Sequence, residues 1–321
     1  MRKKSGRSIA DIAAALHVSP STVSRALRSS PSISSSMTEQ VLAEARQQGY
    51  VCSKRKNLVI ILPNSQMSNY DFCMLNALCH QCNVNGIGWE IVNYGNISII
   101  QERLVHGIIS LDYHDLRSSS LISRFNLPLV SVNDFPNIGV YSISSDAADG
   151  LCQALRHFKK LGHRKIIYLN SINRRNYCSS KRLEAYRIIG DELNLVCKSF
   201  PVELGAQYGD SLLAIVREQL NNGFTAAIVE GETLGIHISS RLQREGIKIP
   251  DDLSLITWDI PEVSEYLSPP VTAIRQNFPA LAAAAVNAVK TLWQGESLPF
   301  STKIPYLFFE RGSTARLKPK E

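Results

Sequence analysis

From residue 58 onward, short apolar runs alternate with longer amphipathic stretches, and this alternation admits few folds. Residues 58–62, 89–92, 107–111, 129–132, 165–169, 226–229, 253–258 and 305–310 read as strands. Residues 70–84, 146–161, 181–194, 210–221, 233–245 and 279–293 read as helices. Continuous apolar runs mark strands buried on both faces, and the intervening helices supply the crossovers that parallel strands need. The expectation is an α/β body with parallel sheets covered by helices on both faces. A chain of 321 residues has room for two such lobes and a small extra domain. No internal repeat or long linker separates the lobes. They are expected to pack together around a cleft, with a ligand beyond the carboxyl ends of the strands.

The first 57 residues differ in kind. They hold ten Lys/Arg against three acids, while the rest of the chain is balanced, so the whole net charge of +7 sits in this head. A basic head on a neutral body points to a polyanion partner, most often nucleic acid. Ile9, Ile12, Ala13 and Leu16 form one apolar helical face, with Ser8 placed to cap it and Asp11 in its first turn. Ser19-Pro20 restarts a helix that runs to about Leu27. Its Val23, Ala26 and Leu27 face inward, leaving Ser21, Arg25 and Arg28 outward. A third helix, 36–48, carries Met37, Val41, Leu42 and Ala45 on one face. The order matches a helix-turn-helix in which the second helix reads DNA. Alone, Arg25 and Arg28 read equally well as solvated charges; the motif around them favours the first reading.

These residues carry a resemblance. Ser8-Ile9-Ala10-Asp11-Ile12-Ala13, Val18 through Leu27, Ile33-Ser34, Val41-Leu42 and Gly49-Tyr50 resemble the DNA-binding headpiece of the LacI/GalR family of bacterial repressors. The resemblance places base readout on Pro20, Ser21 and Arg25; proline has no donor, so Ser21 and Arg25 carry it. Ser8, Ser19, Thr22, Ser24 and Ser34 suit phosphate contacts, and Arg28 is expected on the DNA-facing side of the second helix. Leu16-His17 stands where the family has a small residue and then glycine or asparagine; histidine tolerates that left-handed turn. The stretch 50–57 leaves no room for the family's full hinge helix and supplies no leucine wedge. Lys54, Arg55 and Lys56 are expected to hold phosphates instead.

The resemblance continues along the body through Asp146–Gly150, Leu161–Ile166, Ser179–Tyr186, Gly246 with Ile249–Asp259, Pro269–Gln276 and Arg311–Thr314. It implies a periplasmic-binding-protein-like fold used as an effector sensor and dimerisation body. Residues 1–57 would be headpiece and linker. Residues 58–321 would be the effector-binding domain, with lobe one about 58–161 and 277–300 and lobe two about 162–276 and 301–321. The implied effector contacts are Asn69, Phe72, Asp146, Arg182, Glu232, Trp258 and Asp259. Arg182 would grip hydroxyls or a carboxylate, Asp259 would accept sugar hydroxyls, and Trp258 would stack on a sugar face. Gly231-Glu232 replaces the family's Asn-Asp pair, so the site is re-lined: a ligand other than the common hexoses, or a weakened sensor, is expected.

Other classes are weighed against this one. No Walker loop, GxSxG or HExxH is present, and His106, His114 and His163 stand alone, so no enzyme, cofactor or metal is expected. Cys79 and Cys82 form a single CxxC inside a helical stretch and read as thiols on one helix. Seven scattered cysteines suit a reducing compartment. Met1–Lys4 followed by 9–18 loosely resembles a signal peptide, but Asp11 and His17 interrupt it and no apolar run reaches membrane length. The expected protein is a cytoplasmic, dimeric, sequence-specific repressor with a small-molecule effector of carbohydrate type. The competing reading is a carbohydrate-binding protein whose basic head gives only non-specific DNA affinity.

Overall fold

A computed structural model describes residues 8–27, 30, 32–50, 56–63, 67–102, 104–111, 127–133, 140–171, 177–202 and 209–318. The headpiece comprises α1 (Ile9–Ala15), α2 (Pro20–Leu27) and α3 (Ser35–Gln47). A capping box opens α1: the Ser8 hydroxyl accepts from Asp11 N at 3.3 Å, and the Asp11 carboxylate accepts from Ser8 N at 2.7 Å. His17 takes φ +54° in the turn, the left-handed conformation expected there. Ser19 Oγ accepts from Thr22 N at 3.1 Å at the start of α2, and Ser34 Oγ accepts from Met37 N at 3.3 Å at the start of α3. Ile12, Ala13, Val23, Ala26, Leu27, Val41, Leu42 and Ala45 close a common core.

The body adds to that core. Leu104 packs on the headpiece cluster, and Arg46 Nη2 on α3 donates to the Ile100 carbonyl at 2.8 Å. The acceptor lies in a 3₁₀ segment, Tyr94–Glu102, so the third helix is seated directly on the first body unit.

The chain divides into two compact units, residues up to 143 with 278–302, and residues 144–277 with 303 onward. In the first unit β1 (Asn57–Leu62), β2 (Gly88–Asn93), β3 (Gly107–Ser110), β4 (Leu129–Val132), β5 (Tyr141–Ser145) and β11 (Ser301–Ile304) form a sheet. Its order is β11-β5-β4-β3-β1-β2. Parallel register is set by pairs such as Leu58↔Trp89 and Leu58↔Gly107. Helices α4 (Asn69–Val84) and α9 (Phe278–Trp293) pack together beside this sheet. Val59, Ile61, Val92, Ile97, Ile100, Val105 and Ile108 form a core cluster that joins the sheet to the 3₁₀ segment.

The second unit holds β6 (Lys165–Ser171), β7 (Val196–Val202), β8 (Ala226–Val229), β9 (Ser254–Trp258), β10 (Thr272–Arg275) and β12 (Leu307–Phe309). Their order is β12-β10-β9-β8-β6-β7, parallel except for antiparallel β12. Helices α5 (Ala147–Lys160) and α6 (Tyr177–Glu192) supply Leu155, Phe158 and Tyr186 to the core on one side of the sheet. Helices α7 (Gly209–Asn221) and α8 (Glu232–Arg244) supply Val216, Ile238 and Leu242 to the core on the other. β8 and β9 are buried along their whole lengths, as central parallel strands are.

Two features depart from the sequence reading. Helix α5 belongs to the second unit, because Gly150 lies against the Tyr306 ring; a Cβ there would come within 2.9 Å of it. The chain therefore crosses between units near Ser144, not 161. Strands β5, β7, β10 and β11 were also unread. β7 is an edge strand containing Pro201, and β11 is an alternately exposed edge strand, so neither forms an apolar run.

Candidate DNA-reading surface and second-unit charge cluster

The two faces of α2 divide cleanly. Val23, Ala26 and Leu27 are buried, while Pro20, Ser21 and Arg25 are exposed. Ser19, Ser21 and Thr22 form a hydroxyl cluster, with Ser19 Oγ 2.8 Å from both others. Arg25 Nε donates to the Ser21 carbonyl at 3.3 Å, one turn back, which lays the arginine along the exposed face. Ser24 is half-buried on α2, and Ser8 and Ser34 serve as helix caps. Arg28, Lys54 and Arg55 lie outside the described residues. Lys56 departs from its expected role. Its Nζ sits 4.3 Å from the centroid of the Trp293 ring, and burial lowers its pKa. The ammonium is engaged by the body, where a cation over an indole face is favoured.

In the second unit, Arg182 on α6 lies at the centre of a buried polar cluster. Nη1 donates to Glu230 Oε1 at 3.3 Å, and Nη2 donates to the Tyr306 hydroxyl at 3.1 Å. The guanidinium carbon lies 4.6 Å from the centroid of the Trp258 ring. Arg182 is 7% exposed and Glu230 1%. Tyr168 stacks on Tyr186 at 4.8 Å and lies 6.4 Å from Trp258. Burial first, and the adjacent Glu230 carboxylate second, hold the Tyr168 phenol well above its usual range. Burial this deep is tolerable for an ion pair only with opposite charge and hydrogen bonds close by. Sequence determines the place of Glu230: it follows the fully buried β8, at the carboxyl end of the strand. Gly231 follows at φ +96°, a conformation suited to glycine, and turns the chain into α8.

Arg182 and Trp258, each expected at the effector, lie against one another. Trp258 is 2% exposed and carries the guanidinium on its face, so it does not offer a stacking surface to a sugar. Its indole N–H has no acceptor among the described residues. Asp259 does not offer free acceptors either. Arg311 Nη1 donates to Oδ1 at 3.0 Å, Arg275 Nε donates to Oδ2 at 2.6 Å, and the carboxylate is fully buried. Asp146 is the N-cap of α5, accepting from Ala148 N at 3.2 Å, with Lys303 3.9 Å away. Asn69 opens α4 in the first unit, and Phe72 is 58% exposed there. The backbone of Glu232 opens α8; its side chain lies outside the described part. Sequence reasoning missed Glu230 and Tyr306. A charged residue at the end of an otherwise apolar strand was the available signal for Glu230. Nothing local marked Tyr306.

Cys79 and Cys82 lie on α4, where burial pushes the Cys82 thiol up to about 11. No helix among the described residues is long and apolar enough to cross a membrane.

Comparison with known proteins places both parts of the chain. Residues 8–53 match the model of bacterial regulatory proteins of the lacI family, and residues 155–314 match a periplasmic binding protein-like domain. A probable HTH-type transcriptional repressor, ExuR of Bacillus subtilis, is 24% identical over 308 residues, covering 88% of this chain and 90% of its own. The lac repressor dimer, solved bound to operator and the anti-inducer ONPF, superimposes with a TM-score of 0.68 at 18% identity. That match covers 97% of this chain and 100% of the other. A regulator from Enterococcus faecium solved with bound ribose matches at TM-score 0.68 and 19% identity, covering 82% and 100%.

Proposed function

This chain belongs to the LacI/GalR family of bacterial transcription regulators, and from that premise we propose that it acts as a dimer on a near-palindromic operator. It is a DNA-binding transcriptional repressor by kinship and not an enzyme. The observation that carries the specific reading is the exposed face of α2, where Ser21 and Arg25 project from a helix whose opposite face is fully buried. Arginine pairs bidentately with guanine in the major groove, and two copies related by a dimer axis read two half-sites. Ser8, Ser19, Thr22, Ser24 and Ser34 are assigned to phosphates.

The body is assigned a small-molecule effector of carbohydrate type. This is supported by the ribose-bound and operator-bound relatives and by the place of Arg182 in the second unit. Such an effector acts only through its differential affinity for two states of the protein. The protein is assigned to the cytoplasm, where its operator lies.

Selection of bound sequences from random duplex DNA by the full-length protein, near physiological salt, tests the proposal. An enriched palindrome supports a dimeric regulator. Binding without enrichment, collapsing as salt rises, returns the reading to a carbohydrate-binding protein with a merely basic head.

A further inference from the structure

We propose that Glu230 is a built-in occupant of the Arg182 subsite, a tethered carboxylate that takes the place of a free ligand there. The inference rests on the reading of Arg182 as the effector arginine. Three groups of the second unit engage the guanidinium: Glu230 at Nη1, the Tyr306 hydroxyl at Nη2, and the Trp258 ring against its face. These are the contacts a carboxylate-bearing or polyhydroxyl ligand would offer an arginine: a charged acceptor, a neutral oxygen and an apolar plate. Glu230 comes from the tip of β8, the end of the strand where ligands sit in open parallel sheets.

The place taken by Glu230 has consequences for regulation. A second anion brought to Arg182 would meet the Glu230 charge in a buried setting. A neutral sugar that took the place of Glu230 at Nη1 would leave that carboxylate buried without its arginine. Both are disfavoured. The subsite therefore keeps its order without a small molecule, and an effector that binds Arg182 through Nη1 must first dislodge Glu230. Asp259, closed by two arginines, offers no compensating acceptor.

Chemical rescue tests this. Glu230→Ala removes the tethered carboxylate and leaves a cavity beside Arg182 Nη1. Its Tm is expected to fall, and formate or acetate is expected to restore several degrees of it saturably. Chloride at matched ionic strength is not expected to do so. Glu230→Gln keeps the cavity filled and is expected to show no such response. The wild-type Tm is expected to stay unmoved by formate, acetate, glucose, galactose and ribose. A folded Glu230→Ala protein that formate and chloride affect alike overturns the proposal. A neutral sugar that raises the wild-type Tm, and loses that effect in Arg182→Lys, overturns it as well; this arm stands even where Glu230→Ala fails to fold. The operator selection uses wild-type protein. An enriched palindrome without rescue overturns this inference alone; rescue without a palindrome overturns the operator reading alone.

Discussion

Arg311 reaches from the C-terminal segment to Asp259 at the end of β9, its Nη1 3.0 Å from Oδ1, while Arg275 on β10 holds Oδ2. One carboxylate thus ties two adjacent strands to the tail of the chain. Ser313 and Thr314 extend the same seam, the Ser313 hydroxyl donating to the Leu255 carbonyl at 2.6 Å. The residue that looked like a ligand contact in the sequence is part of the architecture of the second unit.

Asp259→Asn is expected to destabilise the protein by about 3 kcal/mol. This is the lower end for a broken buried pair, since Arg275 keeps some solvent. Burial raises the Asp259 pKa, but hydrogen bonds from Arg311, Ser264 and Arg275 outweigh it and the net shift is downward. A folded-state pKa below the unfolded one gives stability that is present at neutral pH and lost as pH falls through the folded value, below about 4. Urea unfolding between neutral pH and pH 3 checks this: the variant should lose less on acidification than the wild type.

His163 sets a second, milder acid limit. Its Nε2 donates to the Ala315 carbonyl at 3.0 Å, so Nδ1 is left to accept from the Thr225 hydroxyl at 2.8 Å; the neutral ring fills both roles. Burial, the largest influence, lowers its pKa, opposed by the Ala315 carbonyl. Stability from this group is present above the unfolded histidine pKa of about 6.5 and declines as pH falls through the lower folded value. His163→Gln should flatten the Tm profile between pH 7.5 and 5. An unchanged slope would show that the ring charges without cost.

Arg25→Ala should weaken operator binding and relax preference at one base position in each half-site, by about 1–3 kcal/mol of discrimination. Titrations against operators varied at each position read this directly. Uniform weakening across all sequences would move Arg25 from base to phosphate.

Arg46→Ala removes a guanidinium that bridges α3 to the Ile100 carbonyl, a charged-donor hydrogen bond of about 1.5 kcal/mol. Leu104→Ala should weaken the same seat from the other side by removing its packing on the headpiece core. Hydrogen exchange should quicken across 94–102 and α3 in both variants while β8 and β9 keep their protection. Unaltered exchange in both would show that the seat does not hold the headpiece.

Much of this protein was legible in the sequence because periodicity and local chemistry decide it. The first two headpiece helices follow from Ser8 and Ser19-Pro20 as start signals, and all three from residues with consistent inward faces; the capping role of Ser34 emerged only in the structure. His17 at its left-handed turn was readable for the same reason. Strands such as β8 and β9, buried on both faces, must be apolar along their length and so announce themselves. Edge strands β7 and β11 need no such run, and they were missed. What only the tertiary structure decided is which charge meets which. Lys56 over Trp293, Asp259 between Arg275 and Arg311, and Arg182 against Glu230 join residues far apart in sequence. A side chain's type states what it can bind. Whether it is free to bind depends on the neighbours that burial forces upon it, and those are set by packing.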